Sequence, residues 1–194
     1  MAYHLAKTFA QEGKETVLMD VDFCRSVLSF AFPDLEHRPG LHDYLMGDVE
    51  AGAIISATEQ SHLFFIQSQE AKFSAPHALR SERMQTLLRD LKQDFDVIIL
   101  DTPPVLSIND AVALGEIVDL RLMVVEWGKT PKEMVERAIK KIAPSNLVLA
   151  GIVLNKARHW GANYYYDHAY EDKRKKAIEK KAVSVPHPKP GDAK

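Results

Sequence analysis

The sequence predicts an α/β domain of the doubly wound kind, a mainly parallel sheet with helices on both faces. Three observations lead there. Short apolar runs alternate with helical patterns along most of the chain. Several of these runs are apolar at consecutive positions rather than every second one, as expected of strands covered on both sides. The 194 residues, 46% of them hydrophobic, suffice for one domain with a substantial core.

The first helix is expected over residues 1–12, stopped by Gly13, and a strand follows in "TVLMDV" (16–21). Further strands are expected in "LFFIQ" (63–67), "DVIILD" (96–101), "RLMVVEW" (121–127) and "LVLAGIVLN" (147–155). Helices are expected over 48–57, 80–93, 109–117 and 131–142. The last opens with "TPKE", which predicts Thr130 as N-cap, Pro131 in the first helical position and Glu133 closing a capping box. Composition changes near residue 160. Residues 171–181 carry six Lys or Arg against three acids, and a proline-containing stretch follows. The predicted division is therefore a domain over 1–160 and a tail over 161–194, its basic run read as solvated surface.

A formal net charge of −2 argues against a nucleic-acid-binding chain. Cys24 is the one cysteine, so a disulfide framework and a cysteine metal site are excluded, and a reducing cytosol fits. No apolar run approaches the length of a membrane span and no signal-peptide core is seen. Membrane contact would come through a partner or the basic tail.

Gly13-Lys14 looks like the centre of a phosphate loop but fails the pattern. Thr8 stands where the leading glycine belongs and Glu15 where Ser or Thr would ligate magnesium. The chemistry is expected instead at strand ends. Open parallel sheets bind ligands beyond the carboxyl ends of their strands, and two predicted strands end in acids, giving Asp20 and Asp22 on one and Asp101 on the other. One such Asp is more simply a cap of the next turn. Two strands delivering acids to one edge favour a hard cation such as magnesium. The eight histidines form no close metal-binding pair, and Cys24 reads as a partly buried spectator. Tyr164, Tyr165, Tyr166 and Tyr170, four of the six tyrosines, fall within "YYYDHAY". Consecutive tyrosines cannot all face a core, so these are candidate phosphoryl acceptors or a sticky patch for a partner.

In "VLMDVDFCRS", "FDVIILDTPPVLSINDA", "GLHDYLMGD", "VVEWGKT" and "GIVLNK", followed by the tyrosine cluster, the chain resembles the bacterial tyrosine kinases of capsule and exopolysaccharide export. These are the cytoplasmic halves of polysaccharide co-polymerases, with a P-loop NTPase-like fold. The ordered set runs from residue 3 to about 170 and is specific as a set. The resemblance implies ATP and Mg2+, with tyrosine autophosphorylation in trans within a homo-oligomeric ring. It also implies a membrane co-polymerase partner, a tyrosine phosphatase and a cytoplasmic, inner-membrane-associated location. By position, Asp20 and Asp22 match the second Walker motif, whose usual form is D-x-D-x-R-x-P. Asp20 would help hold the water shell of the metal and accept the tyrosyl proton. Asp101 matches the Walker B metal residue, and Asn155 an adenine-contacting position. Arg25 is read as the basic residue of the motif, and Ser26 replaces its proline, which should loosen the turn. In this family a strand and a G-E-G-K-S/T loop precede the helix at residues 1–12. The sequence starts inside that helix, so the expectation is a chain inactive as a kinase without that segment. The alternatives are a non-catalytic docking module of the export complex and a partitioning-type ATPase.

Overall fold

The computed structural model describes residues 1–69, 78–106, 118–143 and 149–157. Helix α1 (Ala2–Gln11) ends where the sequence says it should. Gly13 takes φ +79; its N–H bonds to Ala10 O and that of Lys14 to Phe9 O, the Schellman closure that a left-handed glycine permits. The short turn sends the chain straight back into β1 (Thr16–Asp20), so α1 runs antiparallel to the strand. The amino end of the helix therefore lies at the carboxyl end of β1.

Strand β1 is the hub. It pairs in parallel with β3 (Leu63–Ile66) on one side and β4 (Val97–Asp101) on the other. A short β2 (Ser56–Ala57) adds antiparallel to β3, giving the order β2–β3–β1–β4. All five residues of β1 are buried. Alternation divides them between two cores, as the side-chain period of a strand requires. Leu18, Leu63 and Phe65 pack with Ala6 and Ala10 of α1 and with Ile99. On that face Phe32 stacks on Phe65 at 4.3 Å between ring centroids. Val17, Met19 and Ile66 face the other way, against Met84, Leu87 and Leu91 of α4 (Glu82–Asp94) and against Leu41 and Tyr44 of α2 (Leu41–Met46). Helices thus cover both faces, as predicted.

Helix α4 starts at Ser81, whose hydroxyl accepts the Met84 N–H. A second parallel sheet pairs β5 (Leu122–Glu126) with β6 (Gly151–Asn155), and α5 (Lys132–Ile142) lies between them in sequence. Two expectations fail in detail. The helix over 48–57 is reduced to α3 (Ala51–Ile54), because Ser56 and Ala57 pair with Phe65 and Phe64 as β2. The capping box at "TPKE" does not form: Pro131 is the N-cap of α5 and no side chain caps it. Proline holds an extended backbone there without any help from Thr130. The helix expected over 109–117 lies outside the described residues.

Gly40 shows how tightly the sheet edge is sealed. A Cβ on it would stand 2.8 Å from the Gln67 carbonyl oxygen, the same oxygen that accepts the Leu41 N–H at 2.8 Å. Gly40→Ala should cost about 1–3 kcal/mol through overpacking, read as a lower melting temperature. Gly52→Ala, with nothing within 4 Å of the added carbon, should be neutral or slightly stabilising.

Candidate functional site

The register of β1 on β4 sets Asp20 directly beside Asp101, each the last residue of its strand. Both share the strand phase of Leu18 and Ile99, the face that α1 covers. The amino end of α1 comes to the same place. The positive end of its dipole therefore belongs to this edge. The Met1 amine is close enough to lower the Asp101 pKa. Two acids thus meet the positive end of a helix where parallel sheets bind ligands.

Asp20 is the more enclosed acid, at 1% exposure. Its Oδ1 accepts the Asp22 N–H at 2.9 Å and its Oδ2 the Ser26 hydroxyl at 2.9 Å. Burial pushes its pKa up to about 6, with Asp101 adding to the rise, while the hydrogen bonds from the Asp22 N–H and the Ser26 hydroxyl, together with the nearby Ser68 side chain, oppose it. Asp101 is raised as well, first by burial and then by Asp22, against the Met1 amine. Asp22 spends Oδ1 on the N–H groups of Cys24 and Arg25, forming the turn after β1. Ser68, just past β3, donates to the Asp22 carbonyl at 3.1 Å. Among the described residues no three His, Cys, Asp or Glu side chains are gathered closely enough to hold a metal ion. Two or three carboxylates at one edge suit magnesium, which keeps its waters and takes phosphate oxygens.

The expected residues separate into groups. Asp20 and Asp101 sit side by side at the ends of β1 and β4, and Asp22 lies in the turn just past Asp20. Asn155 ends β6 in register with Glu126, on the second sheet. Its Oδ1 accepts the Lys156 N–H, and Lys156 at φ +56 reaches Glu126 Oε1 at 3.2 Å. Glu126 is held below its ordinary pKa chiefly by that hydrogen bond. Arg25 contributes its backbone N–H to Asp22, and its residue is exposed. Counted by the spacing of D-x-D-x-R-x-P, the motif arginine falls on Cys24, one residue earlier, and Cys24 is exposed rather than partly buried. Gly128, at φ +69, belongs to a turn leading to α5, so "EWGKT" is no phosphate loop. The four tyrosines lie outside the described residues. The sequence reading missed two side chains. Ser26 was expected to loosen the turn and instead ties it to Asp20, and Ser68 was not noticed. Polar residues directly after a buried strand were the available signal for Ser68.

Asp20 gives a pH test with a definite sign. Burial disfavours its carboxylate, so the native state binds the proton more tightly than the unfolded chain. Its favourable contribution is complete below about pH 4 and is lost as pH rises through about 6. Asp20→Asn should therefore raise stability at pH 7–8 by up to about 3 kcal/mol and flatten the stability profile between about pH 4 and 6, measured by denaturant unfolding.

The chain is similar to several known proteins. A family model described as an AAA domain matches residues 1–150. Tyrosine-protein kinase CpsD of Streptococcus agalactiae is 30% identical over 174 residues, which is 89% of this chain and 76% of the relative. The crystal structure of the VpsO kinase domain superposes with a TM-score of 0.75 at 25% identity, covering 81% of this chain and 77% of that one. Cobyrinic acid a,c-diamide synthase from Mycobacterium smegmatis, solved with an ATP analog and magnesium, shares the fold at a TM-score of 0.58 and 22% identity, covering 78% of this chain and 65% of that one.

Proposed function

The chain belongs to the AAA domain family as a bacterial tyrosine kinase domain, and from that premise we propose that it serves ATP-dependent phosphorylation of the tyrosines at 164–170 in the control of capsule or exopolysaccharide assembly. The observation that carries this reading is the pairing of Asp20 with Asp101 at the amino end of α1.

In the proposed reaction the tyrosine oxygen attacks the γ-phosphorus and the bond to the β-phosphate oxygen breaks. ADP leaves with that electron pair, and the phenolic proton passes to a carboxylate. Asp20 suits that last role. With a pKa near 6 it is mostly ionised at neutral pH, yet more basic than an ordinary carboxylate. Asp22 and Asp101 would hold magnesium through its water shell, with Asp20 completing the set. Bound there, the metal neutralises phosphate charge. The amino end of α1 directs its dipole toward the same phosphates. Asn155 is assigned to the adenine by its place in its motif, and Arg25, one residue past the motif's arginine position, to the nucleotide by its charge. Tyr164, Tyr165, Tyr166 and Tyr170 are the acceptors, reached between copies of a homo-oligomer. A membrane co-polymerase is the proposed partner, a tyrosine phosphatase the proposed antagonist and the cytoplasmic face of the membrane the location. Among the described residues no helix is long and apolar enough to cross a membrane.

Incubation with radiolabelled ATP and magnesium tests the reading. Label should enter the chain, by itself or with a strand and G-x-G-K-S/T segment ahead of residue 1, and vanish when the four tyrosines are changed to Phe. Asp101→Ala should lower it by at least about a hundredfold, and the rate should rise with pH through about 6 as Asp20 ionises. The same assay with a strand and G-x-G-K-S/T segment fused ahead of residue 1 shows whether those groups are needed. Absence of label in both forms would overturn the kinase reading and leave the docking module.

A further inference from the structure

Asp20 differs from its neighbours in how completely the protein holds it. Both of its oxygens accept hydrogen bonds, one from the Asp22 N–H and one from the Ser26 hydroxyl, each at 2.9 Å. The Asp101 carboxylate takes no hydrogen bond from the described residues, and Asp22 uses only Oδ1. The Ser26 donor is itself anchored. Its carbonyl accepts the Ser29 hydroxyl at 2.9 Å, at the entrance to the short helical turn Leu28–Ala31. Three side chains, Ser29, Ser26 and Asp20, thus connect the loop after β1 back to the buried end of that strand. A proline at 26, as in the family motif, would stiffen the loop but has no group to donate to Asp20.

We infer that Ser26 is a positioning residue for Asp20: its hydroxyl fixes the outer carboxylate oxygen and so aims the acid at the edge shared with Asp101. An aspartate has one torsion that turns its carboxylate plane, and that torsion is broad when nothing restrains it. Donors on both oxygens, from separate parts of the loop, leave a single orientation. The restraint acts where it matters for chemistry, since misplacing a proton acceptor by about 1 Å costs on the order of a hundredfold in rate. Its catalytic consequence rests on the kinase reading; the restraint itself does not.

The test separates the two. In protein labelled with 13C at aspartate carboxyls, without metal or nucleotide at pH 8, the Asp20 resonance is assigned by its loss in Asp20→Asn. Ser26→Ala should shift it beyond the linewidth. Ser26→Thr, which keeps a hydroxyl on the same carbon, should leave it at the wild-type position. Ser29→Ala should shift it partway and carries the comparison if Ser26→Ala does not fold. In the label assay Ser26→Ala should lower kcat roughly ten- to a hundredfold with KM for ATP unchanged, and Ser26→Thr should restore it. An Asp20 resonance unmoved by Ser26→Ala, or moved equally by Ala and Thr, overturns the inference whether or not the protein transfers phosphate.

Discussion

The pairing of β1 with β4 is the constraint on which the rest depends. A shift of one residue in that register would turn one strand over relative to the other. It would take Ile98 and Leu100 off the α4 face and carry Asp101 away from Asp20. The hydrophobic demand of two cores therefore fixes the position of two acids. Neither acid contributes to that demand. They occupy the last position of each strand, where the apolar requirement ends and the strand phase still applies. The catalytic geometry proposed here is a by-product of packing on β1, and packing defends it against slippage better than any polar contact would.

Holding an acid at 1% exposure opposes folding, and the loop after β1 is built to limit that effect. The Asp22 N–H, the Ser26 hydroxyl and the Ser68 side chain all favour the ionised form of Asp20, yet burial outweighs them and its pKa stays near 6. The balance is informative. No Lys or Arg is among the groups acting on Asp20, so its charge is offset by hydrogen-bond donors alone. An acid kept buried, ionisable and without a partner cation is suited to receive a proton or face a metal-bound phosphate. Stability is given up at the place where function would need it.

The strands were legible because burial on both faces leaves an unbroken apolar run, and "TVLMD" and "VIILD" have no polar interruption before their acids. Gly13 was legible because one glycine after a helical pattern has one good use. The segment 48–57 misled because Ala, Gly and Ile over a few positions do not separate a helix from a short edge strand; pairing with Phe64 and Phe65 decided it. Thr130 misled because capping depends on where the helix begins, and Pro131 moved the start by one residue. In the site, the acids announced themselves by position and type. Ser26 and Ser68 did not, since a serine hydroxyl serves turns, caps and carboxylates equally well and only the folded loop shows which.

Burial falls away from β1 in a way that bears on how the parts of the site work together. Strand β1 is buried throughout, β4 is half-buried, and in β5 and β6 the side chains of Leu122, Val124, Ile152 and Leu154 are exposed. Apolar burial is the main source of local stability, so resistance to opening should follow the same order. The acids proposed for chemistry stand on the two better-packed strands, while Asn155, proposed for the adenine, stands on the least covered pair. That division suits the two tasks. Proton transfer and phosphate charge need atoms held to fractions of an ångström, whereas a base slot that yields lets nucleotide enter and leave. The hydrogen bond from Ser26 to Asp20 belongs to the first task, adding a polar restraint where apolar packing has already removed most of the freedom.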